Sequence, residues 1–571
     1  MTVIDTGPLD EGNLDESTAA EHIHGICLKT GPPRRVGVEL EWLVRDVRDP
    51  ALPVTAGRTA AAVSAFAAVL DNREHQGNQD NSGHPGNGDH RFTENNGVTG
   101  DNGITANNGI TRDNRVPGDN RVPRGNRVPG DNGNNRASAG SRVSGDNGAN
   151  GHNPDPGGGV NRPANGDSAN GDSSTRDRAA RDRAARDRAA RDRAARDRAA
   201  STELPSSSHP GVLPSGALLT AEPGGQLEIS SQPAESLAEL VRATCTDLAA
   251  LRAALAADGL ELAGIGLDPV RPPRRVLDLP RYAAMEAFFD SGGPWGRQMM
   301  CGTASVQVCL DAGDDSDGPN GYRWRWRLLH AIGPVLVAAF ANSPLRQGRP
   351  TGWVSSRQQV WTRMDPGRTR PPRLDDDPRS AWAAYALDAE LMCVRGTDTG
   401  DWSAPPGLTL RDWVRGGWER RPTEGDLEYH LSTLFPPVRP RGHFELRMID
   451  AQPGTDGWIV PLAVCWALLA DARAGEAALA AVAPLWDGQP PGAGDGAGSK
   501  GLGLGPWLRA ARVGPADPAT GRASRECFAA AREAMDRAAV PAGITAAVDA
   551  FMDQYVSNDR CPADDLLEEA R

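Results

Sequence analysis

The segment Gly37–Val44, with the sequence GVELEWLV, indicates which fold this chain adopts. Successive side chains of an extended strand point to opposite faces, so its apolar residues share one face and Glu39 and Glu41 share the other. Two neighbouring carboxylates repel each other unless a cation lies between them or water surrounds both. A lone E-x-E is more often an exposed strand face than a metal site. This segment by itself therefore predicts a strand and leaves the role of its acids open.

The same arrangement of polar and apolar residues recurs in three later segments. Each is a strand candidate with apolar residues on one face and a carboxylate, amide or guanidinium on the other. A sheet of four such strands would pack one side on a helical core and line the other with oxygen ligands, which suit Mg²⁺ and the phosphates of ATP. No Walker motif (GxxxxGKS/T) is present to bind ATP in another way. The polar residues of these segments are Glu228, with Glu222 in the turn before it, Gln307, Glu445 and Arg447.

A polar loop between Phe340 and Trp361, with the sequence FANSPLRQGRPTGWVSSRQQVW, adds a second kind of candidate residue. Arginine is suited to bidentate binding of a carboxylate, and Arg357 follows Ser355 and Ser356 in this loop. Surface arginines are as often only solvated. The residues alone therefore leave Arg357 undecided between these two roles.

Hydrophobic periodicity predicts the main secondary structure elements. Apolar residues at helical spacing predict helices, and alternation with β-branched residues predicts strands. Isolated strands between long helices predict an α+β protein with a mostly antiparallel sheet. Residues 459–571 are rich in Ala and Leu and are expected to be mainly helical. The predicted helices are Ser236–Asp258, Arg281–Phe289 and Trp326–Ala341, and the predicted later strands are Thr303–Asp311 and His443–Asp450.

Composition predicts a long insert within one catalytic domain. Only 38% of the 571 residues are hydrophobic, while Gly (66) and Pro (46) are abundant. Between residues 71 and 200 there is no Trp or Cys, and Phe92 is the only aromatic residue. Such a segment cannot bury enough apolar surface to offset its ordering entropy. We therefore expect a disordered tail at 1–20, a disordered insert at 71–204, and one domain formed by 21–70 and 205–571.

The end of this insert consists of five copies of RDRAA, from Arg176 to Ala200. One hypothesis is a basic arm that contacts nucleic acid or an acidic partner. The simpler interpretation is an expanded repeat in a solvated loop, since insertions in surface loops cost little stability. We favour the second, because a five-residue period matches neither 3.5 nor 3.6 and gives no continuous apolar seam.

Charge and segment composition indicate where the protein functions. The formal net charge of −13 argues against a general nucleic-acid-binding protein. No apolar run approaches the roughly 18 residues that a membrane span requires, and the acidic N-terminal segment lacks the features of a secretory signal. The eight Cys are scattered without a CxxC pair, as expected of reduced thiols. The sequence thus predicts a cytoplasmic protein without a membrane partner.

Five motifs together resemble a known family. GVELE, EPGGQLE, MMCGTASVQVCLD, the loop from Phe340 to Trp361, and GHFELRMID occur in the order seen in glutamate–cysteine ligases. The form resembled most closely is the actinobacterial type that opens ergothioneine biosynthesis, which is related to the plant-type enzymes. The resemblance covers essentially the whole chain outside the tail and the insert.

This resemblance implies a fold, a reaction and site residues. The expected fold is a carboxylate–amine ligase fold similar to that of glutamine synthetase, with a curved antiparallel sheet and helices on one face. The expected reaction joins L-glutamate to L-cysteine with ATP and Mg²⁺, through γ-glutamyl phosphate, to give γ-glutamylcysteine. The expected metal ligands are Glu39, Glu41, Glu222, Glu228 and Glu445, with Gln307 at the metal cluster. The expected catalytic residues are Arg447, at the transferring phosphoryl group, and Glu41, while Arg357, Ser355, Ser356 and Gln307 are expected to bind substrates.

Two alternatives remain open at this point. No residue can be tied to recognition of a thiol, so a γ-glutamyl ligase that uses another amine is the second hypothesis. A non-catalytic binding protein that acts through its basic repeats is the third hypothesis. It is disfavoured because all the acidic strand positions and both arginines are present. The sequence does not specify an oligomeric state.

Overall fold

The computed structural model describes residues 14–55, 57–62, 211–374, 377–396, 400–486 and 505–571. All of them belong to one compact unit. The predicted insert at 71–204 and most of the predicted tail lie outside the described residues. The proposed division of the chain into domains therefore stays a prediction.

An eight-stranded sheet organises the molecule, and every neighbouring pair of its strands is antiparallel. The strand order is β2-β3-β4-β1-β6-β10-β9, and β5 pairs with the second half of β1. A separate two-stranded ribbon is formed by β7 and β8. The strands are β1 (Val36–Asp46), β2 (Gly211–Val212), β3 (Leu218–Ala221), β4 (Leu227–Ser230), β5 (Leu260–Ala263), β6 (Ser305–Leu310), β7 (Leu345–Arg346), β8 (Arg349–Pro350), β9 (Val438–Pro440) and β10 (Phe444–Asp450).

Helices make up most of the C-terminal part of the described chain. They are α1 (Glu16–Cys27), α2 (Leu237–Ala257), α3 (Pro280–Ser291), α4 (Trp295–Gly302), α5 (Tyr322–Ala339), α6 (Ser356–Met364), α7 (Pro366–Thr369), α8 (Pro378–Asp388), α9 (Leu410–Val414), α10 (Glu424–Leu431), α11 (Ile459–Ala470), α12 (Ala472–Val482), α13 (Gly505–Val513), α14 (Pro518–Arg537), α15 (Ala542–Gln554) and α16 (Pro562–Glu569). Residues 57–62 are also helical.

The apolar face of the sheet packs on buried helices. Val38 and Leu40 of β1 are 1% and 0% exposed, and they belong to the same core cluster as most of the apolar residues of α5. Trp326 of α5 lies against Phe444 of β10, with 5.6 Å between ring centroids. Burial of this face leaves the opposite face, which carries the acids, free to form a site.

The predicted elements are confirmed in position and type. The strand predicted over Gly37–Val44 is β1, and the helix predicted over Ser236–Asp258 is α2, which Ser236 caps by accepting a hydrogen bond from the Glu239 amide. The other predicted helices correspond to α3 and α5, and the other predicted strands to β6 and β10. The prediction of an α+β protein with an antiparallel sheet is therefore confirmed.

The predicted boundary of the N-terminal tail at residue 20 is wrong. Helix α1 begins at Glu16, where Asp15 and Thr18 form a capping box through two hydrogen bonds of 2.8 Å. Its buried residues are only Ala19, Ile23 and Cys27. This stripe is too narrow and too weakly apolar to stand out from the acidic residues around it.

No helix in the described part of the chain is long and apolar enough to cross a membrane.

Candidate active site

The two acids of β1 lie at the centre of the sheet, next to the other predicted site strands. Glu41 is directly opposite Glu228 of β4, and Glu39 is opposite Gln307 of β6. Like charges in directly opposite positions destabilise a sheet unless something offsets them. The register therefore brings together two carboxylates that are 187 positions apart in the chain, and their repulsion needs a positive charge to offset it.

Glu41 is held by two residues of β6. Ser305 and Gln307 each donate a hydrogen bond of 2.8 Å to its carboxylate oxygens. Burial, followed by the charge of Glu222, raises the pKa of Glu41 to about 7, against the opposing effects of Arg357 and Arg447. This carboxylate is thus fixed in place, and the positive charges near it do not offset the effects of burial and of Glu222 on its pKa.

Glu222 and Glu228 are brought to the same region by a tight hairpin. The Gly225 amide donates to the Glu222 carbonyl at 2.8 Å, which closes the turn between β3 and β4. The Gln226 side chain fastens this turn by donating to the carbonyls of Met300 and Thr303. Burial, and then the charges of Glu39 and Glu222, raise the pKa of Glu228 well above its usual range.

Glu445 is in a different electrostatic environment from the other acids. It is fully buried and receives three hydrogen bonds of 2.7–3.2 Å from Arg439, its direct cross-strand partner on β9. Arg447 also donates to it, and Arg441 lies 3.6 Å away. Although burial opposes ionisation, Arg439, Arg447 and Arg441 hold the pKa of Glu445 well below its usual range. In this arrangement the carboxylate mainly anchors guanidinium groups.

A β-bulge in β10 determines where Arg447 lies. Leu446 pairs with Val308 and Ile449 with Val306, so β10 contains one residue more than β6 over this interval. The Arg447 guanidinium donates to Gln307 as well as to Glu445. The carbonyls of the two bulged residues accept hydrogen bonds of 2.8 Å from α6: that of Arg447 from Arg357, and that of Met448 from Gln358.

Arg357 is almost completely buried beside this bulge, with 1% of its surface exposed. Its Nε and Nη1 atoms have no hydrogen-bond partner within the described residues, although the Asp450 carboxylate lies 3.8 Å from Nη1. Burial lowers the pKa of Arg357, while Asp450 and Glu41 oppose this effect. A buried cation with unused donors is suited to receive an anionic group of a substrate.

The two predicted substrate-binding serines support the region around Arg357. Ser355 caps α6 by accepting from the Gln358 amide and donates to Asp450 at 3.0 Å. The Ser356 hydroxyl pairs with Thr351 at 2.6 Å. Both serines are 1% exposed, and their hydroxyls already have protein partners. A direct contact of either with substrate stays a prediction.

Three residues of this site were not predicted from the sequence. Asp450 accepts hydrogen bonds from the Asn342 amide and from Ser343 and Ser355. Arg439 neutralises Glu445, and Ser305 orients Glu41. Ser305 lies within the motif MMCGTASVQVCLD and Asp450 within GHFELRMID, and Arg439 lies three residues before GHFELRMID. Their roles follow from cross-strand register, which the sequence does not display.

A large cleft opens beside the N-terminal half of β1. Its volume is about 1130 Å³, and it is bordered by Glu39, by the loop Lys29–Pro32 after α1, and by the turn Arg441–His443. Cationic side chains on its wall include Lys29, Arg35, Arg379 and Arg441. Within the described residues, no three acidic, histidine or cysteine side chains already stand close enough together to enclose a metal ion.

The sheet with its carboxylates and paired arginines has the character of an enzyme site, and comparison with known proteins identifies the class. The model of glutamate-cysteine ligase family 2 matches residues 180–571, well over half the chain. The chain therefore belongs to this family and is a ligase. The match begins after β1, so the strand that carries Glu39 and Glu41 is joined to the rest of the site by the tertiary structure.

Individual relatives agree with this assignment. Over 365 residues the chain is 40% identical to the glutamate–cysteine ligase EgtA of Mycobacterium tuberculosis (strain H37Rv), covering 62% of this chain and 78% of that protein. It is 33% identical over 244 residues to the chloroplastic glutamate–cysteine ligase of Medicago truncatula, covering 41% of this chain and 47% of that protein. The resemblance to actinobacterial and plant-type enzymes is thus confirmed. A solved glutamate–cysteine ligase of Francisella tularensis in complex with AMP has 10% identity and a TM-score of 0.36, over 61% of this chain and 77% of that one. That likeness is too weak to establish a common fold.

Proposed function

We propose that this protein is a glutamate–cysteine ligase that uses ATP to join the γ-carboxylate of L-glutamate to the amino group of L-cysteine. The observation that carries the proposal is the arrangement on one face of the sheet. Glu39, Glu41 and Glu228 lie on adjacent strands, next to Arg447 and Arg357. Family membership supports the ligase chemistry, and the printed names of the relatives support glutamate and cysteine as substrates.

The acids of β1 and β4 are suited to Mg²⁺. The raised pKa values of Glu41 and Glu228 result from burial and mutual repulsion, and a divalent cation between them would relieve both. Glu39, Glu41, Glu222 and Glu228 would hold it, and bound Mg²⁺ would neutralise charge on the phosphates of ATP. Glu445 fits this ligand set less well in the described arrangement, because its oxygens already accept from Arg439 and Arg447.

The two arginines would act on different substrates, Arg357 on glutamate and Arg447 on ATP. Arg357, with unused donors, would bind the α-carboxylate of glutamate and thereby orient its γ-carboxylate. The γ-carboxylate oxygen attacks the γ-phosphorus of ATP, ADP leaves, and γ-glutamyl phosphate forms. Arg447, fixed by Glu445 and Gln307, would stabilise the charge on the transferring phosphoryl group. The cysteine amine then displaces phosphate from the acyl carbon.

The proposal also extends to the type of fold and to the metabolic role of the product. We infer a fold similar to that of glutamine synthetase, supported by the antiparallel sheet with its acids on one face. We infer that the product serves ergothioneine biosynthesis, supported by the motif resemblance and by the similarity to EgtA. The cytoplasmic location stays a prediction.

The proposal is tested by omission. Purified protein is assayed for phosphate release with ATP, Mg²⁺, glutamate and cysteine, and with each left out in turn, and the product mass is determined. We expect release and a γ-glutamylcysteine mass only when all four are present. If another amine replaces cysteine with equal kcat/KM, the acceptor assignment is wrong and the protein is a γ-glutamyl ligase of different specificity.

A further inference from the structure

The turn after β9 presents an arginine to the cleft. Gly442 has φ +77° and donates its amide to the Cys27 carbonyl at 2.6 Å, which fixes the turn against the end of α1. A Cβ placed on Gly442 would lie 3.3 Å from Lys29 Cδ, so the Lys29 stem runs alongside this turn. Arg441 and Lys29 therefore stand side by side at the cleft wall.

Three guanidinium groups gather around Glu445, and Glu39 is a second carboxylate whose charge acts on all three. Arg439 is 7% exposed and makes three hydrogen bonds to Glu445, and Arg447 is 11% exposed and makes another. Arg441 is only within 3.6 Å of the same carboxylate, and 40% of its side chain is exposed. The two buried arginines thus hold Glu445 by hydrogen bonds, whereas Arg441 interacts with the charges of Glu445 and Glu39 and presents its exposed part to the cleft.

Position distinguishes Arg441 from the other cations of the cleft. Arg35 is paired with Asp311 at 3.4 Å, and Arg379 with Asp315 at 3.5 Å. Arg441 lies next to the carboxylate that also holds Arg447, the residue assigned above to the transferring phosphoryl group. A polyphosphate can contact both Arg441 and Arg447, because both arginines lie beside the Glu445 carboxylate.

We propose that Arg441 is a substrate-binding residue that contacts the β- and γ-phosphates of ATP. Arg439 is its buried counterpart, a positioning residue that holds Glu445 and does not reach the nucleotide. This inference rests on the proposed use of ATP. The basic side of the cleft would then bind the polyphosphate chain of ATP.

Nucleotide binding tests this assignment independently of turnover. Calorimetry would compare ATP and AMP, each with Mg²⁺, on the full-length wild type, Arg441→Ala, Arg441→Lys and the control Arg473→Ala, which changes an exposed arginine of α12. For Arg441→Ala we expect ATP binding to weaken at least tenfold and AMP binding to change less than threefold. The KM for ATP should rise while the KM for glutamate is retained. Arg441→Lys should recover most of the ATP affinity, and Arg473→Ala should resemble the wild type.

Two other results would contradict the inference. If Arg441→Ala binds ATP as tightly as the wild type, Arg441 does not contact the phosphates. If ATP and AMP binding weaken equally, the residue acts on the shape of the cleft instead. Failure of the wild type to bind ATP would overturn the proposed function itself, which is a different outcome from either of these.

Discussion

Among the acids of the site, Glu41 combines the most constraints on a single side chain. It lies directly opposite Glu228, receives hydrogen bonds from Ser305 and Gln307, and is affected by the charges of Glu222, Arg357 and Arg447. Its neighbours therefore fix its orientation, while its charge is left for a ligand to balance. Residues of this kind serve chemistry at the expense of stability.

Glu41→Gln is expected to reduce turnover below one-hundredth of the wild-type value with the fold intact. The amide keeps the size of the side chain but removes the charge that would hold Mg²⁺. Arg447→Ala should have a similar effect on turnover. Activity would be measured alongside circular dichroism, with Glu235→Gln, an exposed acid, as the control. Near-wild-type activity of either site variant would remove that residue from the site.

Asp450→Asn is expected to raise the KM for glutamate by about tenfold and to change the KM for ATP much less. Asp450 organises Ser343, Ser355 and the buried Arg357, and loss of its charge leaves the guanidinium less well positioned. Initial rates over both substrate concentrations would separate the two constants. A larger change in the KM for ATP would contradict the placement of glutamate at Arg357.

At the scale of elements, the hairpin between β3 and β4 depends on close contact between two backbones. A Cβ on Gly224 would lie 2.3 Å from the Cys301 carbonyl oxygen, a distance that no side chain tolerates. Gly224→Ala should therefore lower the free energy of unfolding by about 2 kcal/mol or more and displace Glu222. The control is Gly25→Ala within α1, where nothing lies within 4 Å and stability should be kept or slightly raised. Urea unfolding of both variants measures this, and equal stability would show that the turn can shift freely.

Helix α10 contributes a pH dependence through His430. This residue is 1% exposed and its Nε2 lies 2.9 Å from the Ala386 carbonyl, and burial lowers its pKa to about 3. Between that value and its ordinary pKa of about 6.5 the unfolded chain binds a proton that the folded chain does not. Stability should therefore fall as the pH drops below about 6.5, by up to roughly 1.4 kcal/mol per pH unit.

His430→Gln removes this titration, so its free energy of unfolding should depend less steeply on pH between 6.5 and 4.5 than that of the wild type. Denaturant unfolding at a series of pH values would measure the two slopes. Parallel slopes would show that His430 is not buried in its neutral form.

At the scale of the whole molecule, the chain returns to the same sheet on both sides of the predicted insert. β1 precedes it and β4 and β6 follow it, yet β1 pairs with both. The described segments before residue 63 and after residue 210 therefore contribute to one sheet. The model of the family matches residues 180–571, which include β4 and β6.

Deletion of residues 71–200 is expected to leave ligase activity within a few-fold of the full-length value. The described contacts of the site come from residues outside that range, and closing a shorter loop costs little free energy. The four-component assay on the deleted protein measures this. Near-total loss of activity with retained folding would contradict the interpretation of the insert as a solvated loop.

The sequence by itself determined the alternation of β1, β4, β6 and β10, and hence a sheet with one apolar and one polar face. That pattern is local, because side-chain direction in a strand depends only on residue parity. The motifs likewise sufficed to identify the family. Only the tertiary structure decided which acids are neutralised: Glu445 by Arg439 across a strand pair, whereas Glu41 and Glu228 face each other. It also decided that Asp450 joins the polar face, because the bulge in β10 reverses the parity after Leu446. Register and bulges arise from pairing between distant segments, and no local pattern records them.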